Sequence, residues 1–129
     1  MATIKSYTDI EQSKKLAEIL PLESADMGYD GIEDRDSRII RYTRIATTMP
    51  NMNSIPCWSL AALLNLLESE IYGEEGELYQ LNINKDGTWW DIEYIERYYE
   101  AKPIEIKSTE ELIDACYEMI LKLNEQKLL

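Results

Sequence analysis

Four stretches of the chain carry a strong hydrophobic pattern, and their periods differ. Leu112, Ala115, Cys116, Met119, Ile120 and Leu123 recur at steps of three and four, which puts them on one side of a helix over 109–125. Glu111, Asp114, Glu118, Lys122 and Glu125 take the other side. Ser108 and Glu111 have the spacing of a capping box, which predicts where this helix starts. Thr8 and Glu11 repeat that spacing ahead of a second helix, with Ile10, Leu16, Ala17, Ile19 and Leu20 as its apolar side and Pro21 as its stop. A third helix is expected over 56–67, with Pro56 at its first position. Apolar residues surround it almost completely, so it reads as a central helix packed on more than one side.

The fourth stretch has a period of two. Tyr79, Leu81 and Ile83 alternate with Gln80, Asn82 and Asn84, the pattern of a half-buried strand. Lys85-Asp86-Gly87-Thr88 supplies a turn, and the chain returns through Trp89 to Ile95 as the second arm of a hairpin. Trp90, Ile92 and Tyr94 share one face. Trp89, Asp91, Glu93 and Ile95 share the other, so one tryptophan turns away from the core and is available to a partner. Ile104–Lys107 reads as a short edge strand after Pro103, and 39–47 as another strand. Residues 22–38, 48–54 and 68–77 read as loops. The expected fold is an α+β single domain over 1–129. Its small antiparallel sheet is built on the hairpin and packed by three helices, αβα sandwich-like. The expected core is Leu16, Leu20, Trp58, Leu60, Leu63, Leu64, Leu81, Ile83, Trp90, Ile92, Leu112, Cys116, Met119, Ile120 and Leu123.

Charge narrows the function. The chain has 25 acidic and 13 basic residues, a net charge of −12. That balance argues against non-specific binding to nucleic acid backbones, which needs a basic surface, and permits a divalent cation or plain solubility. A basic protein partner suits it. No apolar run reaches the roughly 20 residues of a membrane span, and no signal peptide is evident at the N-terminus. Cys57 and Cys116 each sit in an apolar pattern and read as reduced, buried residues of a cytoplasmic protein.

The candidate sites are of two kinds. Glu68, Glu70, Glu74, Glu75 and Glu77 make the densest negative stretch, and Glu70, Glu74, Glu75 and Glu77 with Trp89 are the candidate protein contacts. Arg35, Arg38, Arg41 and Arg44 fall within ten positions of an otherwise acidic chain. Arg38, Arg41 and Arg44 could grip a phosphate while Trp89, Tyr98 or Tyr99 stacks a base. Such a nucleotide pocket is often completed between copies of a chain, so this reading carries a homo-oligomer with it. The acids of 26–36 do not have the spacing of an EF-hand calcium loop.

Catalytic chemistry is thin. The chain has no histidine, which removes Ser-His-Asp and Cys-His catalysis and the commonest zinc ligand. Its five glycines form no phosphate-binding loop. Asp91 and Glu93 share a strand face and could hold a metal, but a solvated face explains them as well. No cofactor and no metal site is expected, and the reading is non-enzymatic.

Three stretches, Glu11–Met27, Ile55–Leu64 and Asp114–Leu123, resemble a group of small phage and prophage proteins of gut anaerobes. More distantly, the order helix, tryptophan-bearing helix, hairpin, helix is similar to the phage ABA sandwich domain. The resemblance covers about a third of the chain. It implies a mobile-element origin and a location in the cytoplasm of a bacterial host, but no activity and no functional residues. Three expectations follow. The first is an acidic binding protein that interferes with a host defence protein, such as one that binds nucleic acid, through protein contact. The second is a small-ligand binder that sequesters a nucleotide defence signal. The third is an accessory protein with no separable activity.

Overall fold

A computed structural model describes residues 4–29, 41 and 42, 55–98 and 100–129. Its elements are helix α1 (Ile10–Ile19), strands β1 (Met27–Tyr29), β2 (Arg41–Tyr42) and β3 (Ile55–Cys57), and helix α2 (Leu60–Leu66). Then come strands β4 (Glu70–Tyr72), β5 (Leu78–Asp86), β6 (Trp89–Glu96) and β7 (Ile104–Thr109), and helix α3 (Leu112–Glu125). The fold is α+β; the described residues form three α-helices and two antiparallel sheets of order β2-β1-β3 and β4-β5-β6-β7.

The larger sheet grows from the hairpin. Asp86 pairs with Trp89, so its loop is Gly87-Thr88, one position later than the Asp-Gly signal suggests. Gly87 has φ 63 and Thr88 keeps a negative φ, the pattern of a type II′ loop with glycine first. Ile92 and Tyr94 on one face are fully buried, as the alternation predicts. That face packs under α3, whose Ile113, Cys116, Met119, Ile120 and Leu123 are likewise buried. Trp90 is only half-buried, at the hairpin end beyond the helix, where Lys85 Nζ lies 5.2 Å over its ring. Leu60, Leu64, Leu81, Ile83 and Leu112 are also partly buried, at the margin of the core rather than in it. α1 and α2 pack against α3. α3 is the one helix of the three in extensive contact with the larger sheet, and it covers one side only.

Several expectations are corrected. Thr8 and Glu11 do not form the capping box of α1; Asp9 and Gln12 do, one residue later. Asp9 Oδ1 accepts from the Gln12 N–H at 2.8 Å and Gln12 Oε1 from the Asp9 N–H at 3.1 Å. Ser108 does not cap α3. It lies in β7 with φ 58, where the register against β6 shifts between Trp90 and Ile92. The extra residue of this bulge is at Lys107–Ser108, since Trp90 pairs with Thr109 and Ile92 with Ile106. Glu111 takes the N-cap position with no side-chain cap bond. Pro56 is not a first helical residue. It sits in β3, an edge strand, where no ladder hydrogen bond from its nitrogen is required. α2 begins after Ser59, whose Oγ accepts from the Ala62 N–H at 3.1 Å. The stretches 22–38 and 68–77 are not wholly loop, for they contain β1 and β4. Strands of three residues carry too little alternation to be read. β6 runs one residue past the expected Ile95 and ends at Glu96. Of the strand expected over 39–47, Arg41–Tyr42 forms β2, and the rest lies outside the described residues.

The N-terminal segment is stitched into this frame by polar groups. Thr8 and Ser13 are fully buried, and their hydroxyls meet at 2.8 Å. The Trp58 N–H donates to Thr8 Oγ1 at 3.1 Å, the Thr8 N–H to the Trp58 carbonyl at 2.9 Å, and Tyr29 OH to the Thr8 carbonyl at 2.5 Å. Cys57 and Cys116 are both free and buried. On the outside, Lys5 Nζ and Gln12 Nε2 donate to Asp114 Oδ1 of α3 at 2.7 and 2.8 Å.

Candidate interaction face

The side of the larger sheet away from α3 has no helix over it among the described residues. Strand alternation decides what it carries. β4 contributes Glu70 and Tyr72. β5 contributes Leu78, Gln80, Asn82, Asn84 and Asp86, and β6 contributes Trp89, Asp91, Glu93 and Ile95. β7 contributes Glu105 and Lys107. The face therefore holds Glu70, Asp86, Asp91, Glu93 and Glu105 against one lysine. Two aromatic side chains stand at its margins, Trp89 at 45% exposure and Tyr72 at 66%.

Each carboxylate is held by a neighbour, apart from the exposed Asp86. Asn82 Nδ2 donates to Glu93 Oε1 at 3.1 Å, and Gln80 Nε2 to Glu70 Oε2 at 3.4 Å. Lys107 Nζ lies 3.6 Å from Glu105 Oε2. The Ser108 N–H, turned by the bulge, donates to Asp91 Oδ1 at 2.8 Å. Glu93 and Glu105 stand directly opposite each other on neighbouring strands. Like charges in that position weaken a sheet.

The candidate residues divide. Glu70 and Trp89 lie on this face. Glu74 and Glu75 lie in the exposed β4–β5 turn, closed by the Gly73 N–H donating to the Glu77 carbonyl at 2.8 Å. That turn and Trp89 are at opposite ends of β5, separated by roughly 27 Å at the rise of an antiparallel strand. Glu77 belongs to the same turn, its Oε2 accepting from the Glu75 N–H at 3.2 Å. Tyr79, on the α3 side, has its hydroxyl pKa raised by burial and then by the Glu77 and Glu96 carboxylates. Tyr98 is 74% exposed just beyond the far end of β6, so Trp89 and Tyr98 do not converge on one ligand. Arg41 is in β2, while Arg38, Arg44 and Tyr99 lie outside the described residues. Asp86, Glu105 and Tyr72 were not singled out from sequence. Only the register, which lays the polar side of the alternation across four strands, reveals them.

Among the described residues no group of three or more candidate ligands is placed to hold a metal, and no helix is long and apolar enough to cross a membrane. The buried thiols do not resemble nucleophiles. Burial raises the Cys57 pKa and pushes that of Cys116 up to about 12. No family model, curated protein or solved structure matches the chain.

Proposed function

We propose that this is a non-enzymatic, phage- or prophage-encoded acidic binding protein. It acts in the cytoplasm of a bacterial host by covering a basic surface of a host defence protein. The contact surface is the uncovered face of β4–β7. The observation that carries this reading is the carboxylate excess of that face, Glu70, Asp86, Asp91, Glu93 and Glu105 against Lys107 alone, with Glu93 and Glu105 directly opposite each other so that some repulsion remains in the free fold. A basic partner relieves that repulsion on binding. A host surface that normally meets phosphates is the natural match, since ordered carboxylates offer the same charge.

The test is affinity capture from host lysate with the wild-type chain and with the Glu93→Lys/Glu105→Lys double variant. Capture of a basic, nucleic-acid-binding protein by the wild type is expected, with release by added polyanion and loss of capture in the variant. Equal capture by both forms overturns the assignment of the face.

A further inference from the structure

We infer that Trp89, Asp86 and Asp91 form a receptor for one arginine side chain of the partner, an inference that rests on the contact face proposed above. Asp86 is the cross-strand partner of Trp89, so both project to the open face with Cβ atoms about 5 Å apart. Asp91 follows Trp89 by two residues on the same face, about 6.8 Å along the strand. An exposed indole is thus flanked by carboxylates on two sides. Tryptophan is the best aromatic platform for a cation. A guanidinium stacked on it directs its N–H groups outward in its own plane, toward carboxylates at the ring's edges. An ammonium has no such plane, and the arrangement gives it less.

Two further observations support the assignment. The bulge N–H of Ser108 fixes Asp91 through Oδ1, and no donor among the described residues reaches Oδ2. This uses a bulge to aim a side chain. Second, the same hairpin end already holds a cation over an indole. Lys85 Nζ lies over Trp90 on the opposite face, so it does not serve Trp89. Lys107, the lysine of the open face, pairs with Glu105. Among the described residues no cation lies over Trp89.

The experiment is a titration of the full chain, followed by the indole N–H resonances. The probe is a capped Gly-Arg-Gly-Arg-Gly peptide, with matched lysine and citrulline peptides as comparisons. The Trp89 resonance is expected to shift and saturate with the arginine peptide, to respond weakly to lysine and not to citrulline. By calorimetric titration, which needs no indole at position 89, Trp89→Leu and the near-isosteric Asp86→Asn are each expected to weaken the arginine peptide about fivefold. The inference is overturned by equal responses to arginine and lysine, by no response at Trp89, or by variants that bind as the wild type does. Lysate capture separates it from the reading beneath it. Capture that survives Trp89→Leu/Asp86→Asn but not Glu93→Lys/Glu105→Lys removes the receptor and keeps the face.

Discussion

The two sides of β6 are made by adjacent residues and obey opposite rules. Ile92 and Tyr94 are fully buried beneath α3, where every exposed atom would forfeit hydrophobic stabilisation. Asp91 and Glu93, one residue away in each case, lie on the other face, where five carboxylates meet one lysine. One side is shaped by stability and tolerates little. The other accepts repulsion that stability alone would remove. A strand that divides so sharply separates the residues that build the core from those that do not.

The largest break in this contrast comes from the buried side. Ile92→Ala is expected to cost about 2–5 kcal/mol in urea unfolding, whereas Glu93→Ala should stay within about 0.5 kcal/mol. Equal costs would dissolve the distinction. Alkaline pH probes the same buried layer. Cys116 sits well above its ordinary 9.0 in the folded chain, and burial also takes Tyr94 from 10.0 to about 12. The folded state holds these protons longer than the unfolded state does. The associated stability is therefore complete below about pH 9 and is lost as pH climbs toward 12, by about 1.4 kcal/mol per unit for each group. Cys116→Ala should flatten this slope, whatever it does to the absolute stability. Next comes Thr8→Val, which keeps the shape but leaves the Trp58 N–H without its acceptor, and should cost about 1–3 kcal/mol. The smallest effect has the opposite sign and sharpens the comparison most. Glu105→Lys replaces repulsion at Glu93 with attraction but gives up the exposed pair with Lys107, so it should raise stability by no more than about 0.5 kcal/mol in thermal melts while weakening partner capture.

The hairpin was legible because β5 and β6 run for nine and eight residues, enough alternation to fix both faces and to turn Trp89 outward. The body of α3 was legible for the same reason at its own period. What escaped was set by tertiary partners. Ser108 has the chemistry of a cap, but pairing with β6 holds it in a bulge. Pro56 suits a helix start as well as an edge strand, and only β1 at its side decides between them. The candidate site was half visible. Trp89 and Glu70, named from the sequence, lie on the open face, whereas Glu74 and Glu75, named for charge density, lie in the β4–β5 turn at the other end of β5 from Trp89. Asp86 and Glu105 lacked any signal until four strands were aligned.

The latch on Asp114 bears on how the chain folds as it is made. Lys5 and Gln12 are joined there to a residue more than a hundred positions later, on a helix that follows every other element. Closing a loop of that span costs about 4 kcal/mol of chain entropy. During vectorial synthesis the N-terminal segment therefore meets its partners in two stages: the Thr8 bonds to Tyr29 and Trp58 can form once β3 has been made, and the bonds to Asp114 only after α3 follows.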